Sequence, residues 1–182
     1  MTTLIKHKRV EFSELFYDLV FVFAISKVTT LIDHLHNGIL TWNSFLDFFM
    51  AVLVLTDSWM IQTVYTNRYG KNSLFNMVIM FIKMGLLLFI ANMIGPDWQQ
   101  YFHYLCWAVG TLTFTLFLQY LVEFFRKSTD NVERESIKGF LWITGLGSLG
   151  VYLAALLPIY VGVSVLFASI LLTFIMPIIL LS

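Results

Sequence analysis

Cysteine is almost missing from this chain. One residue in 182, Cys106, falls within an apolar run, so an intrachain disulfide is excluded. Proline is nearly as scarce, with three residues. No Ser/Gly-rich stretch interrupts the sequence, so no linker divides it and one domain is expected over residues 1–182. Charge is also in short supply. Asp, Glu, Lys and Arg make up 12% of the residues, against about 25% in a soluble domain. The formal net charge is zero, which offers no electrostatic footprint for nucleic acid. H-E-x-x-H, G-x-S-x-G and a phosphate loop are absent, so no hydrolase signature is present. The chain is expected to be no enzyme and to need no cofactor.

What fills the space is hydrophobic residue, 59% of the chain, with 17% aromatic and a mean hydropathy of +0.82. Apolar runs near or above 18 residues recur along the whole length, which predicts an all-α, polytopic transmembrane bundle. Polar breaks divide it into six spans at 11–36, 43–66, 74–95, 101–125, 138–157 and 159–181. The last two are separated only by Leu157–Pro158–Ile159, which reads as a tight hairpin, with one long kinked span as the alternative. Lys6, Lys8 and Arg9 resemble the basic region of a signal peptide. Glu14 and Asp18 interrupt the apolar stretch that follows, and Ala24-Ile25-Ser26 is a poor cleavage site, so a retained first helix is expected.

Nine of the eleven Lys and Arg residues lie at loops or boundaries: Lys6, Lys8, Arg9, Arg68, Lys71, Arg126, Lys127, Arg134 and Lys138. All nine fall on one side of a six-span topology. The positive-inside rule makes that side cytoplasmic, with both termini inside. Trp42, Trp98 and Tyr101 then belong to the outer aromatic belt, and Tyr65, Tyr69 and Trp142 to the inner one.

The opening stretch EFSELFYDLVFVFAISK, residues 11–27, places Glu11, Glu14, Asp18 and Lys27 in a helix bound for hydrocarbon. Counting residues puts Asp18, Asp57 and Lys83 at one depth on consecutive spans. A charge at the bilayer centre costs at least about 2.5–3.5 kcal/mol, so the three are expected to face one another, with Lys83 bridging one or both carboxylates. Lys27 and Asp47 form a second expected pair nearer the outer side. Glu11, Glu14, Asp18, Val22, Ile25, Thr29 and Asp33 share one helical stripe, which predicts that the acidic edge of span one faces inward, opposite Phe16, Val20, Phe23 and Ala24. Glu14 and Glu123 are expected at the cytoplasmic interface, where a carboxylate is readily solvated, and Arg68 within reach of either.

Two further patterns are weaker. GLGSLG, residues 145–150, matches a dinucleotide fingerprint but lies inside an apolar span; Gly147, Gly150, Ala154 and Ala155 read as small residues that let helices approach closely. Asp33 and His36 share a helical face near His103 on the outer side, a loose set that falls short of a metal site.

ELFYDLVFVFAIS, residues 14–26, resembles the opening signature of the low-temperature-requirement A (LtrA) family of bacterial membrane proteins, through Glu14 to Ala24. Asn67-Arg68-Tyr69 resembles that family's Asn-Arg-aromatic stretch at the end of span two. The resemblance implies residence in the bacterial inner membrane and singles out Glu14, Asp18, Asn67 and Arg68. It implies no established chemistry. Family members run longer, so by this likeness the chain is expected to be an N-terminal half, a truncated form or a short relative, whose partners are the bilayer, itself or a further half. The sequence thus raises three readings. One is a proton- or cation-linked transporter or channel-like protein using Asp18, Asp57 and Lys83. A second is an assembly protein whose charges only fix packing, with a Gly/Ala face on span five free for oligomerisation. The remotest is an intramembrane enzyme built on Asp33, His36 and His103.

Overall fold

The computed structural model describes residues 12–33, 42–70, 73–95, 97–126 and 131–181. Among them there is no strand. The helices are α1 (Phe12–Val28), α2 (Thr30–Asp33), α3 (Trp42–Tyr69), α4 (Leu74–Met93), α5 (Phe102–Arg126), α6 (Asn131–Leu156) and α7 (Ile159–Leu181), with a 3₁₀ turn at Trp98–Tyr101. Among the described residues six segments are long and apolar enough to cross a membrane, α1 and α2 together forming the first. The chain is therefore a multi-pass membrane protein.

Local chemistry explains the breaks. Thr29 Oγ1 donates to Ser26 O and Thr30 Oγ1 to Lys27 O, both at 2.7 Å, and such back-bonding competes with the helix ladder where α1 gives way to α2. Ser73 caps α4, its hydroxyl accepting from Asn76 N at 3.3 Å. The carbonyl of Pro158 accepts from Val161 N and Gly162 N at 3.0 and 2.8 Å, so α7 starts anew rather than continuing α6. The two helices pack side by side as a hairpin, and the single kinked span is excluded. α6 also begins earlier than the apolar pattern, at Asn131, because the polar run through Glu135 is helical too.

α1 packs on α4 and α3, α4 on α5, α5 on α6, and α6 on α7, while α7 returns to α3. The outward surface carries Phe12, Leu15, Leu19, Phe81, Leu153 and Tyr160, as suits a lipid-facing bundle. Inside are two apolar clusters. One runs from Ala24, Leu55 and Leu87 through Phe102 and Leu112 to Ala154 and Ile170. The other, at the end carrying Arg68 and Arg126, gathers Ile61, Tyr65, Tyr69, Leu116, Tyr120, Ile137 and Phe140. Tyr65 and Tyr69, expected in an interfacial belt, are instead buried edge-on against Tyr120, at 5.2 and 5.9 Å between ring centroids. Trp42, Tyr101 and Trp142 are exposed.

Small residues set the spacing of α6. A Cβ added at Gly147 would overlap Thr173, and one at Gly150 would overlap Ser169, both on α7. The Gly/Ala face is thus covered from within the chain rather than free for oligomerisation, with Ala154 and Ala155 buried.

Candidate functional site

Lys83 lies near the midpoint of α4 and is 1% exposed. Its Nζ donates to Gln62 Oε1 on α3 and to Gln119 Oε1 on α5. An ammonium has donors only, so both amides must turn their oxygens toward it. Gln62 Nε2 then donates onward to Thr66 Oγ1 at 3.0 Å, whereas Gln119 Nε2 is buried without a partner among the described residues. One amine thus ties three helices together.

Asp57, buried near the midpoint of α3, belongs to a second contact. Its Oδ2 lies 2.8 Å from Thr173 Oγ1 on α7, while its Oδ1 has no hydrogen-bond partner among the described residues. Thr173 Oγ1 is also 2.9 Å from Ile170 O. A hydroxyl has one hydrogen. With the carboxylate ionised, Thr173 donates to it; with the carboxyl protonated, Asp57 can donate to Thr173, which then serves the backbone. Ser58, Thr113, Thr115, Thr144 and Ser148 are buried as well. With Gln62, Lys83, Gln119, Asp57 and Thr173 they make up a belt of buried polar groups drawn from α3, α4, α5, α6 and α7.

A polar cavity borders this belt at the end carrying Arg68. Its volume is about 10 Å³, room for roughly one water, and Ser13, Glu14, Gln62, Tyr65, Asn76 and Gln119 are among its walls. Tyr65 OH donates to Asn76 Oδ1 at 3.2 Å on its rim. Glu14 thus shares a cavity wall with Gln62 and Gln119, the two amides that hold Lys83.

The expected charge triad does not form. No ion pair joins Lys83 to Asp18 or Asp57; its partners are two neutral amides. Asp18 is exposed, and its Oδ1 accepts from Trp59 Nε1 at 2.9 Å, while Trp59 stacks on Phe21 at 5.5 Å. The error lay in the helical face. α1 buries Ser13, Tyr17, Ala24 and Val28, because Ala24 lets α4 approach and Tyr17 fills the space below. That rotates Asp18 and Val22 outward, together with Phe16 and Phe23. Lys27 is not paired with Asp47 either. Its ammonium lies 5.7 Å from the Phe23 ring centroid, and Asp47 lines a separate cavity. Glu123 is buried at 2% exposure rather than solvated. Asn67 and Arg68 end α3 on the surface. His103 is exposed with Nδ1 2.8 Å from Ala155 O. Glu11, His36 and the Asp33 side chain lie outside the described residues. Among the described residues no three His, Cys, Asp or Glu side chains converge to hold a metal.

Gln62, Gln119, Trp59 and Thr173 were missed from the sequence. The two glutamines stand inside apolar runs at the depth of Lys83, and that coincidence was the available signal. Trp59 and Thr173 gave none.

A family model described as bacterial low temperature requirement A protein (LtrA) matches residues 9–181. No curated protein and no solved structure matches the chain significantly.

Proposed function

We propose that this chain, which belongs to the bacterial low temperature requirement A (LtrA) family, moves protons or small cations across the bacterial inner membrane. It acts without enzymatic chemistry, and both termini face the cytoplasm. The observation that carries this reading is the placement of Lys83. It is a fully buried amine held by two amide oxygens and no carboxylate, beside a water-sized polar cavity walled by the same two glutamines and Glu14. A static ion pair would have matched the charge directly, since an unpaired buried charge is costly. Neutral amides cradle a cation while leaving it free to exchange its proton.

In this mechanism Lys83 releases a proton, keeps its hydrogen bonds to Gln62 and Gln119 through the N–H groups of the neutral amine, and is recharged by water in the Glu14 cavity. Asp57 is the second station. When Asp57 takes up the proton, a hydrogen on Oδ2 lets the carboxyl donate to Thr173, whose own hydrogen then turns from the carboxylate to the backbone. That reversal loosens or tightens the contact of α3 with α7, coupling protonation to packing. The test is a pH-gradient assay in proteoliposomes. Wild-type protein gives flux, and Lys83→Met and Asp57→Asn abolish it while remaining folded. Flux unchanged in both variants would refute the belt as the pathway.

The assembly reading keeps support from one contact, Thr173 to Asp57, which joins α7 to α3 across the bundle. Under that reading Asp57→Asn lowers folded yield, and no flux is measured in any variant.

A further inference from the structure

A second cavity lies in the half of the bundle remote from Arg68 and shares no wall residue with the polar belt. Its volume is about 450 Å³, within the range of sites that enclose a drug-sized molecule. Met50, Ala51, Trp98, Val163 and Phe167 contribute to a largely apolar lining drawn from α2, α3, α4, α5, α7 and the 3₁₀ turn. Two polar side chains interrupt it, Asp47 and Ser164. Ser164 is spoken for, its Oγ donating to Tyr160 O at 3.3 Å. Asp47 is not: no described residue donates it a hydrogen bond or forms an ion pair with it, and Lys27 is turned to the Phe23 ring.

The shape and the charge specify the occupant. An apolar chamber alone would hold a lipid tail, but a tail leaves the Asp47 carboxylate unmatched at its wall. Asp47 stands five residues inside α3, about 7.5 Å from the helix start, so its depth is that of a headgroup boundary rather than of open water. We infer that this cavity binds a lipophilic organic cation, its rings or alkyl groups against Trp98, Met50 and Phe167 and its positive centre beside Asp47. Trp98 adds a cation–π face for the same charge. The site needs no part of the proton pathway, so it stands or falls independently of it.

Equilibrium dialysis of the purified full chain in detergent tests this, with methyltriphenylphosphonium as the cation and triphenylphosphine oxide as a neutral molecule carrying the same three rings. The wild-type protein binds the cation saturably, one per chain. It binds the oxide at least about tenfold more weakly, the factor that corresponds to about 1.4 kcal/mol. Asp47→Asn removes that preference and Asp47→Glu keeps it, while Ala51→Trp fills the chamber and abolishes binding of both. Equal wild-type affinity for cation and oxide, or no saturable cation binding, overturns the proposal without reference to any variant.

Discussion

A lysine amine at the centre of a membrane bundle must find oxygen, and the kind of oxygen it finds decides what it can do. Lys83 meets two side-chain amides on two other helices. Replacing it with methionine keeps the stem and removes both hydrogen bonds, leaving Gln62 and Gln119 with buried carbonyls. An unsatisfied buried acceptor costs about 1–3 kcal/mol, so Lys83→Met is expected to lower the thermal midpoint by several degrees as read by tryptophan fluorescence. Adding Gln62→Leu and Gln119→Leu removes the orphaned groups and is expected to recover most of that loss without recovering flux. If the triple variant transports protons, Lys83 is no part of the path. Asp18 makes the opposite case. Its Oδ1 accepts from Trp59, and Asn keeps that acceptor, so Asp18→Asn is expected to change flux and stability little, whereas Asp18→Ala loses the bond and about 1 kcal/mol. At this scale the sequence was half legible. Depth along a helix follows from counting residues, and it correctly marked Asp57 and Lys83 as interior. The direction of each side chain does not. The buried stripe of α1 follows Ala24 and Tyr17, and nothing in the local pattern says that smallness and ring volume outrank the Asp18 charge.

Helix by helix, most of the fold could be read directly, because apolar runs bounded by polar breaks are strong signals. The Leu157–Pro158–Ile159 hairpin was legible through proline's effect on backbone donors, and the Gly147 and Gly150 contacts through the small-residue pattern. What could not be read was which helix they meet: both glycines face α7, so the stripe is consumed inside the chain. Gly147→Leu would drive a side chain into Thr173, the residue that contacts Asp57. Overpacking costs about 1–3 kcal/mol, and here it is also expected to break the link from α7 to α3. The measurable outcome is a lower midpoint together with lost flux. Gly145, whose added Cβ would meet only the edge of the Phe117 ring at 3.3 Å, should tolerate alanine with a far smaller loss. A Gly147→Leu protein as stable and active as the wild type would contradict this account of α6.

Taken whole, the molecule is a bundle with a small polar cavity toward one end and a large, mostly apolar cavity toward the other. The segregation of basic residues predicts which end is cytoplasmic. Single cysteines introduced at Glu133 and at Gln99, in a Cys106→Ala background, are expected to react with a membrane-impermeant maleimide only from the inside and only from the outside, respectively. Reaction of both from one side would overturn the topology. The central claim is that Lys83, cradled by two glutamines, carries the transported charge. Proton flux in proteoliposomes under an imposed pH gradient, measured for the wild type beside folded Lys83→Met, tests it most directly. The account predicts flux in the first and none in the second; equal flux in the two would contradict it.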